Sequence, residues 1–403
     1  MELTKVVGLP SEILQESKNI KSQLVNWRRD FHRYPELAFQ EKRTSAKIAG
    51  ILKSFGIDVK TGIAKTGVIG TLTGGKPGPT IALRADMDAL PITEMGENDY
   101  RSLHQGVMHA CGHDAHMAAV LGAAKILCQR KEQLKGKVKF IFQPAEEIAT
   151  GGAQDMIKAG CLDGVDAIFG LHVWSHIPEG VVRIVDGPMM AAADKFRIEI
   201  IGKGSHASLP HQGIDPIVVA SHLVINLQSI VSRELDPLES GVISVCKFHG
   251  GETFNIIPEK VTLEGSVRSF TEKGADFFHQ EIVERTRLTC EMFGAKYHIN
   301  YHKVVPPLIN DKRMAGIFKS AAEKVVGIKK IENGPAMMSS EDFAYYLKEI
   351  PGAFCFIGAG KREGGDCYPH HHPHFDIDEN ALVTATAVMA LTAFFYFLKP
   401  FKS

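Results

Sequence analysis

The order of predicted strands and helices along the chain is the feature that most constrains its fold. Short apolar runs bounded by glycine, proline or charge recur between residues 20 and 185, return after residue 303, and alternate with segments of helical apolar spacing. Strands separated by helices need crossover connections, which predicts an α/β fold with a mostly parallel sheet. The predicted strands are VIGTL, TIALRAD, KVKFIFQ, AIFGLHV and AFCFIGAG.

A second pattern interrupts this order between residues 187 and 302. The segments from KFRIEIIG to KYHINYHKV follow the order β-α-β-β-α-β, which is typical of a ferredoxin-like α+β unit. We therefore expect a discontinuous α/β domain made of residues 1–186 and 303–403, with an inserted domain at residues 187–302.

The tract Ala381–Leu398 contains 18 uncharged residues, the lower limit of membrane-spanning length. Three threonines interrupt it, and Asp378, Glu379 and Asn380 precede it as helix-start residues. These features favour a buried helix packed on the sheet over a C-terminal membrane anchor.

Charge and cysteine content indicate which classes of partner and which cellular compartment to expect. With 46 basic and 46 acidic residues, the chain has no net field that would attract nucleic acid or an anionic membrane. Seven cysteines without paired spacing indicate reduced thiols, and the charged, proline-containing N-terminus differs from a signal peptide. We expect a cytoplasmic protein that binds a small molecule.

Polar side chains cluster where the predicted strands end. In a parallel sheet these carboxyl ends meet at one edge, where ligands bind. The clusters are Asp86 with Asp88, Glu146 with Glu147, His172, and His370 with His371 and His372.

Cys111 and His113 flank Gly112 at the predicted start of a helix, where a loop can turn both side chains toward one point. Mixed sulfur, nitrogen and oxygen donors suit zinc and related transition ions, whereas magnesium and calcium prefer oxygen. A buried thiol without function and a nucleophilic cysteine are the alternatives. A cysteine protease would need neither the acidic pair nor the further histidines.

Seven motifs in this order resemble the M20 metallopeptidase superfamily, in its amidohydrolase branch of N-acyl-amino-acid amidohydrolases, such as aminoacylases, hippurate hydrolases and auxin-conjugate hydrolases. The resemblance covers nearly the whole chain. The motifs are LRADMDALP, MHACGHDAHMA, FQPAEE, GLHVW, GKGSHAS, FNIIPE and YPHHHPHFDIDE.

The resemblance implies two divalent metal ions per subunit, with zinc expected first and manganese, cobalt or nickel as alternatives. The implied ligands are Cys111, which bridges the ions, together with His113, Glu147, His172 and His371. The family pattern Tyr-Pro-x-His-x-x-x-Phe selects His371, although His370 and His372 flank it.

The resemblance also assigns roles in the hydrolysis of an N-acyl-L-amino acid. Glu146 is the expected general base for a water activated by the two ions, and Asp86 or Asp88 orients a ligating histidine; the sequence does not choose between them.

The inserted domain is expected to act as a lid and dimerisation domain of a homodimer or homotetramer. His206 resembles the residue that stabilises the tetrahedral oxyanion, often from a partner subunit, and Asn255 and Arg268 resemble donors to the substrate carboxylate.

Three other functions are weighed against this one. A zinc-dependent base deaminase needs the motif Pro-Cys-x-x-Cys, which the sequence lacks. An inactive binding module would be expected to have lost Glu146, which is present. A metallocarboxypeptidase acting on short peptides remains the alternative within the hydrolases.

Overall fold

The computed structural model describes residues 8–148, 151–361 and 367–398, which form two compact units. The first unit comprises the described residues of 1–187, 310–335 and 345–403, and the second comprises Pro188–Ile309 and Ala336–Ala344.

The strands and helices are numbered in chain order through both units. The elements up to residue 183 are α1 (Leu9–Asn19), α2 (Lys21–Arg33), α3 (Lys42–Ser54), β1 (Asp58–Ile63), β2 (Gly67–Thr73), β3 (Lys76–Asp86), α4 (His113–Gln129), β4 (Lys135–Gln143), α5 (Gly152–Lys158), β5 (Ala167–Pro178) and β6 (Val182–Arg183). The following elements are β7 (Gly187–Met190), β8 (Ala192–Ile201), β9 (Ser205–His206), α6 (Pro216–Ser229), β10 (Gly241–Gly250), β11 (Ile256–Ile257), β12 (Lys260–Ser269), α7 (Glu272–Phe293), β13 (Lys296–Val305) and β14 (Leu308–Asn310). The last elements are α8 (Lys312–Val326), β15 (Ile331–Glu332), α9 (Ala344–Glu349), β16 (Gly352–Gly360) and α10 (Ala381–Leu398).

The first unit is built on an eight-stranded sheet in the order β1-β2-β4-β3-β5-β16-β6-β15. The central strands β4, β3, β5 and β16 are mutually parallel, whereas β1, β2 and β6 add antiparallel pairs toward the edges. The predicted α/β fold is confirmed, and all five predicted strands are present. The parallel centre brings the carboxyl ends of β3, β4, β5 and β16 to one edge.

Helix α10 lies in the core of the first unit. Among the described helices it is the one long and apolar enough to cross a membrane, but 89% of its apolar window is buried inside the protein. Two of its threonines donate hydrogen bonds there: Thr392 Oγ1 to Val388 O at 2.8 Å and Thr386 Oγ1 to Ala119 O at 3.4 Å. The predicted buried helix is the observed one.

The second unit has a four-stranded antiparallel sheet in the order β10-β12-β8-β13. Helices α6 and α7 pack on it through an apolar core that includes Phe196, Leu223 and Phe278. Each helix begins at a capping side chain: Asp215 accepts from Ile217 N, and Thr271 accepts from Gly274 N. The predicted β-α-β-β-α-β order is observed.

The unit boundaries differ from the predicted ones at the C-terminal side. The predicted boundary at 302/303 falls inside β13, which pairs with β8 up to Val305, so the chain leaves the second unit only after Ile309. Residues Ala336–Ala344 also belong to the second unit, since Ala191 N donates to Met337 O and Ser339 O. No local pattern predicts this return of the chain.

Candidate metal centre

The loop before α4 presents Cys111 and His113 to the same region. Gly112 adopts φ +90°, and a Cβ atom there would lie 2.5 Å from Val173 Cγ2, so glycine is required on both counts. The turn lets Cys111 face the carboxyl end of β5, where its Sγ lies 3.4 Å from His172 Nε2.

The five predicted metal ligands form two overlapping groups in the first unit. Candidate ligand atoms of Cys111, His113 and His172 all lie within 4.8 Å of one another, and the same holds for Cys111, Glu147 and His371. Cys111 is common to both groups, which is the arrangement that a ligand shared by two ions requires.

Two of the predicted ligands each have a buried atom without a hydrogen-bond partner among the described residues. These atoms are His113 Nε2 and Glu147 Oε1, which lie 3.8 Å apart. Glu147 Oε1 also lies 3.3 Å from His371 Nε2, without the geometry of a hydrogen bond. Because an unsatisfied buried polar atom is unfavourable, and because sulfur, imidazole and carboxylate donors suit a transition ion, the residues present fit a divalent metal.

Neighbouring groups shift the pKa values of His113 and His172 in opposite directions. Burial lowers the pKa of His113, but the carboxylates of Asp86, Asp88 and Glu147 outweigh burial and raise it to about 10. Burial, His116 and His370 lower the pKa of His172 well below its usual value, which keeps His172 in the neutral form that metals bind.

Cys111 lacks the environment of a nucleophilic thiolate. Burial raises the pKa of its thiol, and the carboxylates of Glu147 and Glu146 raise it further. A thiolate at this position needs a cation beside it, so the geometry favours the ligand over the nucleophile.

Asp88 contacts three parts of the centre. Its carboxylate accepts hydrogen bonds from Glu146 N at 2.9 Å and Glu147 N at 3.0 Å. Its backbone carbonyl accepts from His113 Nδ1 at 2.9 Å, so Nε2 is the ring nitrogen that would bind an ion, with loss of its proton. The prediction was that the carboxylate of Asp86 or Asp88 orients a ligating histidine; the hydrogen bond to His113 comes instead from the backbone carbonyl of Asp88, while the Asp86 carboxylate accepts from His116 Nδ1 at 2.6 Å.

The backbone N–H and carbonyl of Val173 together contact three histidines. Its N–H donates to His116 Nε2 at 2.9 Å, and its carbonyl accepts from His172 Nδ1 at 2.6 Å and from His370 Nε2 at 3.1 Å. His116 is buried with both nitrogens engaged, so it supports the centre rather than offering a free ligand atom. His172 keeps Nε2 toward Cys111.

The three adjacent histidines near the C-terminus separate in space. His371 adopts φ +66° and lies beside Glu147. His370 stacks on the ring of His172 with 5.1 Å between centroids, and His372 stacks on Tyr368 at 4.5 Å. His371 is thus the one of the three that joins the ligand group.

The predicted oxyanion-stabilising residue and the predicted substrate-binding residues lie in the second unit. His206 on β9 is opposite Ile256 on β11, and Ala207 N donates to Asn255 O at 3.1 Å, which brings His206 and Asn255 close together. Arg268 on β12 is partly buried, and burial lowers its pKa while Asp194 opposes that effect. Its guanidinium donates to Ser340 Oγ at 3.3 Å.

A buried ion-pair network next to the centre was not predicted. Arg28 on α2 contacts Asp114 at 2.9 Å, Asp376 at 2.8 Å and Glu379 at 3.1 Å. His32, one turn later, lies 2.8 Å from Asp114. The sequence contains one indication that Arg28 is buried: it lies on the same helical face as apolar residues three and four positions away.

The comparison with known protein families agrees with the geometry of the site. The model of peptidase family M20/M25/M40 matches residues 82–394. The chain belongs to peptidase family M20.

Individual relatives span nearly the whole chain. An N-acetyl-L-cysteine deacetylase of Bacillus subtilis is 46% identical over 367 residues, which cover 91% of this chain and 86% of the relative. Thermostable carboxypeptidase 1 of Saccharolobus solfataricus is 36% identical over 394 residues, 96% of this chain and 98% of the relative. The crystal structure of the Bacillus subtilis YXEP protein, a dinuclear metal-binding M20 peptidase, has a TM-score of 0.85 at 36% identity and covers 95% of this chain and 99% of that one. The chain is a metal-dependent hydrolase of the amidohydrolase branch.

Proposed function

We propose that the protein hydrolyses the amide bond of N-acyl-L-amino acids, with two divalent metal ions bound per subunit. The observation that carries the proposal is the pair of ligand groups that share Cys111, with Glu146 beside them. The similarity to a deacetylase of an N-acetylated amino acid supports the same class of substrate.

The ions would be held by Cys111 with His113, His172, Glu147 and His371. Zinc is the first choice for this donor set, with manganese, cobalt and nickel as alternatives. When bound, such ions supply a water of lowered pKa and polarise the scissile carbonyl.

Glu146 is the proposed general base. Its backbone amide and that of Glu147 are fixed on the Asp88 carboxylate, and both side chains reach the centre, with Glu146 Oε2 at 4.0 Å and Glu147 Oε1 at 3.8 Å from His113 Nε2. Glu147 can then serve as ligand while Glu146 removes a proton from the attacking water. The same carboxyl group returns that proton to the leaving amine nitrogen, so the reaction ends with Glu146 ionised again.

The second unit supplies the proposed contacts to the substrate. His206 Nδ1 accepts a hydrogen bond from Ser208 N at 3.1 Å, so in the neutral ring the proton is on Nε2. His206 is exposed, and this Nε2–H suits donation to a tetrahedral oxyanion. Arg268 and Asn255 would receive the substrate carboxylate, whose charge complements the partly buried guanidinium.

Association through the inserted domain, as a homodimer or homotetramer, is part of the proposal. The exposed faces of α6 and α7 carry large apolar side chains: Ile225 is 69% exposed and Met292 is 65% exposed. Such side chains favour a protein contact over open solvent. The seven free cysteines support a reducing compartment, and we propose the cytoplasm.

Glu146→Gln tests the reaction. The amide keeps the size of the side chain but cannot accept the proton, so we expect kcat to fall by at least about 1,000-fold while metal content stays at the wild-type level. Metal content is measured by elemental analysis after gel filtration. Retained turnover would remove Glu146 from the role of base.

The second candidate is a metallocarboxypeptidase acting on short peptides, which the similarity to a carboxypeptidase favours. Turnover of N-acetyl-, N-benzoyl- and peptidyl-amino acids, on protein stripped and reloaded with zinc, manganese, cobalt or nickel, separates the two candidates and identifies the effective ion. Preference for peptidyl substrates would favour the carboxypeptidase.

A further inference from the structure

Glu41 is a buried carboxylate far from the metal centre in sequence that contacts the loop carrying Glu146 and Glu147. Its Oε1 accepts hydrogen bonds from Phe39 N and from Ala145 N, both at 3.0 Å. Its Oε2 accepts from Thr66 Oγ1 at 2.6 Å. The side chain has no solvent exposure, so these bonds are its alternative to water.

Ala145, the residue held by Glu41, has an unusual backbone conformation. It is not glycine, yet it adopts φ +56°, a region that is unfavourable by roughly 1 kcal/mol for a residue with a Cβ. Its carbonyl is held as well, since Gly152 N donates to Ala145 O at 2.8 Å. Contacts at both its N–H and its carbonyl therefore maintain this conformation.

Three consecutive amides of the loop donate to two buried carboxylates. Ala145 N donates to Glu41, and Glu146 N and Glu147 N donate to Asp88. The backbone of the loop is thereby fixed from two sides, and with it the directions in which the next two side chains leave the chain.

The carboxylate of Glu41 does not serve its own helix. Glu41 is the residue before α3, but its side chain makes no capping hydrogen bond there. Glu36 takes that place, since its carboxylate accepts from Arg43 N at 3.0 Å and Thr44 N at 2.8 Å. Glu41 is thus committed to Ala145, Phe39 and Thr66 rather than to helix capping.

We propose that Glu41 is a positioning residue: by holding Ala145 at positive φ, it directs Glu146 toward the attacking water and Glu147 toward the metal. The proposal rests on the proposed roles of Glu146 and Glu147. It assigns no contact between Glu41 and the substrate.

Glu41→Ala tests the proposal. We expect faster hydrogen exchange in the peptide covering residues 142–148, weaker zinc binding, and a fall in kcat of roughly 100-fold with KM little changed, because a displaced base loses its alignment. Exchange is followed by mass spectrometry and zinc affinity by competition with a chelator. These two measurements do not depend on turnover, so they test Glu41 even where Glu146→Gln shows that the proposed reaction is wrong.

Two further variants separate positioning from general stability. Glu41→Gln can still accept from Ala145 N and can donate to Thr66 Oγ1, so kcat should stay within about threefold of wild type. Glu36→Ala removes comparable hydrogen bonds from α3 without touching residue 145, so exchange in residues 142–148 and kcat should not change.

Unchanged exchange and zinc affinity in Glu41→Ala would overturn the proposal. So would a loss of kcat in Glu41→Gln as large as in Glu41→Ala, or the same losses in Glu36→Ala. If Glu41→Ala does not fold, Glu41→Asp decides: its shortened side chain should raise exchange in residues 142–148, and wild-type exchange there would refute the role.

Discussion

The two units differ in where they keep their charged side chains. In the first unit, Arg28, Arg84, Asp86 and Asp114 are buried and paired with one another or with histidines. In the second unit, the ion pairs around Arg197, Arg285 and Arg287 lie on the surface over an apolar core. Buried pairs resist rearrangement because separating them strands a charge, whereas surface pairs contribute little. The buried pairs of the first unit therefore hold the candidate ligand side chains in fixed positions. The second unit has an apolar core and carries its charged side chains on the surface.

The largest effect should come from breaking the Arg28 network. Arg28→Met leaves Asp114, Asp376 and Glu379 without their shared cation, and we expect a loss of about 3 to 5 kcal/mol in the free energy of unfolding. Denaturation followed by tryptophan fluorescence reports on the first unit, since Trp27 and Trp174 both lie there.

Arg287→Met in the second unit is the matched control. Arg287 pairs with Glu284 and Glu291 on the exposed face of α7, so its removal should change the free energy of unfolding by less than about 1 kcal/mol; scanning calorimetry, which detects both units, measures it for both variants. Equal losses in the two variants would contradict the contrast between the units.

The next effect is a pH dependence from the same network. Burial lowers the pKa of His32, but hydrogen bonds to Asp114 and Glu94 outweigh burial and raise it to about 9. The folded protein therefore holds a proton that the unfolded chain releases near pH 6.5, so the stabilisation is complete below pH 6.5 and is lost as the pH rises through 9. We expect a decrease of at most about 3 kcal/mol over that window. Denaturation curves from pH 6 to 10 measure it, and an equally steep decrease in His32→Gln would show that another group is responsible.

The smallest effect on free energy, and one confined to catalysis, is expected in the second unit. His206→Ala should lower kcat by roughly 100-fold, equivalent to about 2.7 kcal/mol of transition-state stabilisation, with little change in KM or melting temperature. His211→Ala, another exposed histidine of the same segment, is the control and should be neutral. A rise in KM without loss of kcat would exclude the oxyanion role.

The sequence predicted those parts of the fold that have a local pattern. Strand periodicity located β2, β3, β4, β5 and β16, and the change of order after residue 186 revealed the inserted ferredoxin-like unit. The return of Ala336–Ala344 to the second unit depends on contacts distant in sequence, which no periodicity records.

The candidate site likewise has residues that the sequence predicts and residues that it does not. The motifs predicted the candidate ligands that lie around Cys111, because the sequence shows both their residue types and their positions at the ends of strands. The supporting residues were not predicted. Glu41 accepts a hydrogen bond from Ala145, 104 positions away in the sequence, and His116 accepts one from Val173, 57 positions away. Their roles depend on contacts with backbone N–H groups. Because nearly every residue has such a group, the sequence does not show which one a side chain will contact.

The position of α10 bears on the order in which the molecule is assembled during synthesis. Helix α10 packs against α1, α2 and α4, although it is synthesised after all the other described elements. The strands and helices of the ferredoxin-like sheet have all been made before that point, so this sheet can form while translation continues. Helices α1, α2 and α4 keep an uncovered apolar face until residues 381–398 have been synthesised, so truncation before residue 381 should leave a chain that aggregates or binds chaperones.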